Sequence, residues 1–449
     1  MTNSNSIVPI TKSNSKDHYL KRRIKLAQWM LNNSNGEQSI ALFFSGKEKI
    51  RNGDNYYPFR SSSDFFYLTG FPEPNAWLII SCSEKNNFID TIFCLPKDPL
   101  KELWNGSRIG PQDAIGNFLF QNSNSVENLQ TEIEKEFCTA QNLYYPFSES
   151  SEMDELVKKY FIEIKKNSRG KKTPPQKIFD ASQTIANFRL IKDKKEITSM
   201  RKAAEISSNA HIRAMKFCKP GITEYELEAE MLHEFGKSGS QSVAYPSIVA
   251  SGPNSCILHH KAGRRVLKED EIILIDAGCE IDGYASDITR SFPVSGLFSS
   301  AQREIYEIVL AAQKAAIAAT KSGADFSDPH NAAVRVISQG IIDIGLLKNK
   351  SLNEVIDKQL FKQFYMHRTG HWLGLDVHDV GDYTRPLEPG MVLTIEPGCY
   401  VRPSNETDEH FWNIGIRIED DALVTNSGCE LLTRKTPVEV KEIESVINK

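Results

Sequence analysis

Residues 267–279 read LKEDEIILIDAGC, and residues 387–399 read LEPGMVLTIEPGC. In both, nine positions separate a leading leucine from a carboxylate, Asp276 in the first and Glu396 in the second, and x-Gly-Cys follows. The apolar runs Ile272–Ile275 and Val392–Ile395 have the length and β-branched content of buried strands, and a glycine after each allows a tight turn. A carboxylate at the end of a buried strand is costly unless it is paired, hydrogen-bonded or metal-bound. The two segments read as an internal duplication, two similar units delivering acids to a shared centre. Chance likeness of two strand–turn segments is the competing explanation.

Each unit has a second acid further on. Asp287 follows Asp276 by eleven residues, in YASDITRSF, a spacing that a hairpin can fold back. In GIRIE the alternation sets Arg417 and Glu419 on one face of a strand; a simple Arg–Glu surface pair is the bland alternative. Helices precede each unit. Residues 194–217 carry an apolar face and end before Pro220-Gly221, and Thr223 with Glu226 has the spacing of a capping box. Ser299 with Gln302 opens another helix, and residues 329–344 form one more, stopped by Gly345.

The stretch MHRTGHWLGLDVHDVG gathers His367, His371 and His378 beside glycines, and His259-His260 precede the first acidic strand. His367 and His371 are four apart, a zinc-ligand spacing on a helix, but Gly370 lies between them and no Glu follows His367, so HExxH is absent. Four carboxylates and one imidazole form an oxygen-rich set. It would neutralise two divalent ions and suits Mn²⁺, Co²⁺ or Fe²⁺ at least as well as Zn²⁺. Two such ions sharing a bridging hydroxide fit amide hydrolysis, and no GxSxG supplies a serine nucleophile.

Around this centre the chain is ordinary for a globular protein: 449 residues, 40% hydrophobic and 25% charged, enough for two or three domains. A net charge of −4 argues against nucleic-acid binding. No run of 18 apolar residues suggests a membrane span. The opening MTNSNSIVPITKSNSK has no apolar signal core, so residues 1–15 read as a disordered tail. Eight cysteines without a CxxC pair read as free thiols in the cytoplasm. Apolar runs at Ile40–Ser45, Phe65–Gly70, Ala76–Ser81 and Thr91–Leu95 after a helix near residues 17–33 suggest a smaller α/β domain over 16–180, with 181–449 following the basic, Pro-containing stretch IKKNSRGKKTPPQ at 164–176.

The segments LIDAGCEIDGYASDITRSFPV, HWLGLDVHDVG, LEPGMVLTIEPG and GIRIEDD resemble the pita-bread (creatinase/methionine aminopeptidase-like) metallopeptidases, and within them the aminopeptidase P branch. DNYYPFRSSSDFFYLTGFPEP at 54–74 is similar to that branch's N-terminal domain, so the resemblance covers nearly the whole chain. It implies an α+β protein, a smaller N-terminal α/β domain followed by a catalytic domain with pseudo-twofold duplication. Asp276, Asp287, His371, Glu396 and Glu419 would hold two divalent ions, most simply Mn²⁺, with Glu396 also acting as general base toward a bridging hydroxide. His259 and His378 would stabilise an oxyanion or carry a proton. His367, Tyr400 and Arg417 would line a proline pocket or support the metals, with Tyr245 near the metals. Asp54 and Trp104 would reach substrate, in the family's manner from a neighbouring subunit, which implies a homo-oligomer, a dimer or tetramer. The implied reaction releases the first residue of peptides with proline second. A dipeptidase of the same fold, or a non-catalytic binding module, is the alternative. Two departures concern the cleft: Arg368 stands where a small residue is expected, and GDYTRPLEPG is short.

Overall fold

In the computed structural model, residues 17–85, 88–167 and 172–448 are described. The proposed tail at 1–15 lies outside them, as does the middle of the basic stretch at 164–176. The chain divides into two units, one ending at Ile185 and the other beginning at Ala186.

The first unit is built on a six-stranded mixed sheet. Its order is Asn122–Ser125, Ile89–Cys94, Trp77–Cys82, Ser39–Phe44, Asn142–Tyr145 and Lys177–Asp180. The three central strands run antiparallel to their neighbours along 39–44, 77–82 and 89–94, and the outer pairings are parallel. Helices Leu129–Thr139 and Ser151–Asn167 cover it through Ile133, Phe137, Val157 and Tyr160. The apolar run at 65–70, one of four left without an element type in the sequence, is a short helix, Ser63–Thr69, closed by Gly70 in the left-handed region (φ 62°). A short apolar run does not by itself distinguish strand from helix; Asp64 in the first turn and the αL glycine decide it here. Arg23 and Asp90, both fully buried, form an ion pair inside this unit, and Arg23 also donates to the carbonyls of Leu68 (3.0 Å), Phe118 (3.1 Å) and Leu119 (2.8 Å).

In the second unit the duplication is visible strand by strand. Ile272–Asp276 lies between Ile248–Ser251 and Thr289–Pro293, all antiparallel, with Asp276 opposite Thr289. Val392–Ile395 pairs antiparallel with Asp420–Thr425, with Ile395 opposite Asp420, and Gly398–Val401 pairs with Ile414–Arg417. Each half brings a helix pair, Lys194–Phe217 with Glu224–Lys237 and Ser300–Ala319 with Asp328–Asp343. Capping boxes at Thr223/Glu226 and Ser299/Gln302 start two of them as the spacing indicated, and Asp193/Glu196 starts a third. One buried apolar core runs through both halves, from Leu227, Met231 and Ile273 to Ile305, Ile337 and Leu393.

The two halves are stitched together where the acids lie. The Glu419 amide donates to the Thr289 carbonyl (3.1 Å), and Ser291 Oγ both donates to the Arg417 carbonyl and accepts from its amide (3.1 Å each). Gly278 is required by close approach: a Cβ there would sit 1.8 Å from the Ser286 carbonyl oxygen. At Gly370 an added Cβ would likewise sit 2.1 Å from the Thr394 carbonyl oxygen, and the His367–His371 stretch around it is not a helix.

Candidate metal centre and cleft

Strand ends set the acids. Asp276 closes one central strand, and the hairpin through Asp282 and Gly283, both at positive φ, returns the chain so that Asp287 lies two residues before Asp276's partner Thr289. Glu396 follows Ile395, and Glu419 precedes Asp420 on the paired strand. All four, with His371, line one cavity of about 1070 Å³. Asp287, His371 and Glu419 each offer an atom within 4.8 Å of the others. His371 Nε2 lies 3.5 Å from Asp287 Oδ2 and 3.6 Å from Glu396 Oε1. Its Nδ1 is 2.9 Å from the Trp372 carbonyl, which can only accept, so Nδ1 carries a proton and Nε2 is the atom turned to the acids.

The electrostatics are those of a cluster short of positive charge. Burial pushes the Glu396 carboxyl up to about 7. Burial and the neighbouring Asp287 and Glu396 push Glu419 well above the carboxylate range, and burial also raises Asp276 against the pull of Arg417. Burial works on Asp287 in the same direction, but His371 and Tyr245 outweigh it and hold this carboxyl low. Burial opposes charge on His371, yet Asp287 and Glu396 raise it to about 9. Asp276 Oδ1 is buried without a hydrogen-bond partner. An orphaned carboxylate oxygen beside three further acids and an imidazole is a donor set that fits divalent cations.

Around the acids stands a fixed polar frame. Arg417, 4% exposed, is not half of a surface pair with Glu419. It donates to Asp276 Oδ2 (2.6 Å), Thr289 Oγ1 (3.1 Å) and Tyr400 Oη (2.9 Å). Shared alternation set the face correctly, but the long-range partner is Asp276 on the other half. Tyr400 Oη is also 2.8 Å from His367 Nε2, whose Nδ1 faces the Arg368 carbonyl (2.7 Å). Nδ1 therefore donates, and Tyr400, receiving from Arg417, donates to Nε2. Burial and the Arg417 charge keep His367 neutral, its pKa lowered to about 3. Tyr245 donates to Asp287 Oδ1, and Thr289 Oγ1 donates to Glu419 Oε2 (2.6 Å). His378 stacks edge-on to His371 with ring centres 4.4 Å apart, and His259 lines the same cavity. Asp54, in the turn between Ile50–Asn52 and Asn55–Tyr56, and Trp104, 85% exposed on the helix Pro99–Asn105, belong to the first unit.

Three supports carried little or no local signal. Asp421, with a strongly raised carboxyl pKa from burial and Asp287, accepts the Asp287 amide (3.2 Å); only its place after Glu419 hinted at it. Asp379, next to His378, is buried against Lys192 (3.1 Å) and Arg189. Glu224, fully buried, gathers the segment that holds His259. It accepts from Ser251 N (2.9 Å), Ser251 Oγ (2.8 Å), Asn254 Nδ2 (2.9 Å), His260 Nε2 (2.8 Å) and Gly263 N (3.0 Å). Burial opposes its charge, but these bonds prevail and hold the carboxyl low.

Acids and an imidazole brought by a duplicated fold to one cavity define a metallohydrolase of the pita-bread class. The chain belongs to metallopeptidase family M24, whose model matches residues 198–426, and residues 19–144 match the aminopeptidase P N-terminal domain. It is 41% identical to an Xaa-Pro aminopeptidase of Haemophilus influenzae over 96% of this chain and 97% of that protein, and 38% identical to that of Escherichia coli over 96% and 98%. Among solved structures it superposes on Pseudomonas aeruginosa aminopeptidase PepP with a TM-score of 0.93 at 41% identity, covering 96% of this chain and 98% of that one. Escherichia coli aminopeptidase P with the inhibitor Pro-Leu gives 0.93 at 37%, covering 97% and 99%.

Proposed function

We propose that this chain is a metal-dependent aminopeptidase that removes the first residue from peptides with proline second. The observation that carries this reading is the set of four carboxylates, three of them buried, and one imidazole in a single cavity, joined to the similarity over nearly the whole chain to Xaa-Pro aminopeptidases. We assign Asp276, Asp287, His371, Glu396 and Glu419 as the residues that hold two divalent ions. When bound, such ions supply an activated water at neutral pH and polarise the scissile carbonyl. The oxygen-rich donor set favours Mn²⁺ over Zn²⁺.

The chain's own residues then have distinct work. Glu396 takes the proton of the attacking water and returns it to the proline nitrogen. That nitrogen carries no hydrogen in the peptide and leaves as a secondary amine only once protonated. His259 and His378, on the cavity wall, stabilise the charge that develops on the carbonyl oxygen. Arg417, Tyr400 and His367 form one hydrogen-bonded file, so Arg417 fixes Asp276 while the fully buried Tyr400, which does not line the cavity, holds His367 in place as a rigid wall for the proline ring. Tyr245 orients Asp287. Asp54 and Trp104 are assigned to substrate contact supplied in an oligomer; the exposed Leu100, Leu103 and Trp104 on one short helix support a homo-oligomer, a dimer or tetramer. Eight free cysteines support a cytoplasmic setting, and no described helix is long and apolar enough to cross a membrane.

The test is hydrolysis of Ala-Pro-Ala and Ala-Pro with Mn²⁺, Co²⁺ or Zn²⁺, before and after EDTA. Release of alanine from the tripeptide, lost with EDTA and restored by metal, is expected. Cleavage of the dipeptide alone would replace this reading with the dipeptidase.

A further inference from the structure

The cavity carries two cations that the hydrolytic chemistry leaves unused. Lys261 and Arg368 both line it and both are exposed. Among the described residues neither side chain has a hydrogen-bond or ion-pair partner. The other charged groups on this wall do not cancel them. His260 is taken up by Glu224, and Asp325 is the single lining carboxylate outside the acid cluster. The field of Arg368 reaches into the wall behind it: burial first, then the Arg368 and Lys362 charges, hold His330 down to about 4. A guanidinium presents a planar fork of donors matched to a carboxylate.

Asp276, Asp287 and Glu419 are buried, whereas the two cations are the solvent-exposed part of the lining. An exopeptidase accepts only one residue on the amino side of the scissile bond, so the longer, leaving portion of the peptide is the part that needs open space. The leaving portion of the peptide therefore runs toward the open side.

We propose that Arg368 and Lys261 give this chain a preference for peptides bearing a carboxylate beyond the scissile bond, on a side chain or at a nearby C-terminus. The inference rests on the aminopeptidase reading above. It accounts for an arginine in a position where the family resemblance led us to expect a small residue.

The experiment compares kcat/KM of the metal-loaded full chain on Ala-Pro-Glu-amide, Ala-Pro-Gln-amide and Ala-Pro-Lys-amide, and on Ala-Pro-Gln with a free carboxylate. The Glu amide should exceed the Lys amide by about fivefold at low salt, the factor an exposed ion pair gives near the top of its usual range. The free acid should exceed its amide in the same way if the terminal carboxylate is also read. Both ratios should shrink as salt screens the contact. In Arg368→Ala with Lys261→Ala the Glu/Lys ratio should fall to about one, and in Arg368→Glu with Lys261→Glu it should invert. Ratios are insensitive to a partial loss of folded enzyme, since both substrates lose equally. If the Gln peptides are cleaved but charge makes no difference, or the ratio survives both substitutions, the proposal is overturned while the aminopeptidase reading stands. If no Xaa-Pro peptide is cleaved with any ion, that reading has failed and the proposal with it.

Discussion

At the residue scale the site stores protons that a metal must displace. His371 at about 9 and the strongly raised Glu419 hold protons at neutral pH in the metal-free cluster, and Glu396 at about 7 is partly protonated there. Ligands bind metal deprotonated, so titrating the apo-protein with Mn²⁺ at pH 7 should release more than one proton per chain, and apparent affinity should fall as pH falls. Calorimetry in buffers of different ionisation enthalpy reads this directly; proton-independent binding would show that these side chains are not the ligands. The same residues predict the effect of Glu396→Ala, which removes both a proposed ligand and the proposed base. Its kcat should drop by at least about a hundredfold, the scale on which general bases act, and a variant with normal kcat would end the general-base assignment. His211 acts on stability rather than chemistry. It is fully buried, with Nε2 3.0 Å from the Ala277 carbonyl, and burial lowers it to about 4. Its neutral form belongs to the folded state, so the stability it protects is present above about pH 6.5 and is lost as pH falls toward 4. The size is on the order of 3 kcal/mol, and urea titrations at pH 7 and 4.5 on wild type and His211→Gln would measure it.

At the scale of elements, one carboxylate holds a whole segment of the cleft. Glu224 opens the helix Glu224–Lys237 and accepts five hydrogen bonds from residues 251–263, the stretch that presents His259 and Lys261. Removing it leaves several buried donors unsatisfied, each costing about 1–3 kcal/mol. Glu224→Ala should lower kcat/KM by about tenfold or more while bound metal stays unchanged, because none of the five proposed ligands lies on that stretch. Glu224→Gln, which keeps one acceptor oxygen, should recover part of the loss. Equal loss of metal and activity would mean that Glu224 supports the fold generally and not this segment. Asp379 has a similar position beside His378, buried against Lys192 and Arg189.

For the whole molecule, two units with separate cores should answer metal differently. Metal that binds only the folded form of residues 186–449 stabilises that unit by mass action. In thermal unfolding, EDTA should lower one transition and leave that of the first unit, anchored by the buried Arg23–Asp90 pair, in place. A shift of both by the same amount would show that the units unfold as one.

The duplicated strand segments, the helix pairs with their capping boxes, and the acids at 276, 287, 396 and 419 were legible in the sequence because each rests on short-range pattern. Strand length, turn glycines and caps act within a few residues, and an acid after an apolar run is conspicuous wherever the chain goes. The helix at Ser63–Thr69 was hidden for the converse reason, since the four apolar residues Phe65–Leu68 suit either structure until a cap decides. What the sequence left open was which distant groups face each other. Arg417 turned from Glu419 to Asp276, 141 positions away; Asp421 met the Asp287 amide, and Glu224 gathered a segment beginning 27 residues on. Such partners are chosen by the packing of two halves whose registers are fixed only when the shared core closes, and burial then makes every charge inside it find a counterpart.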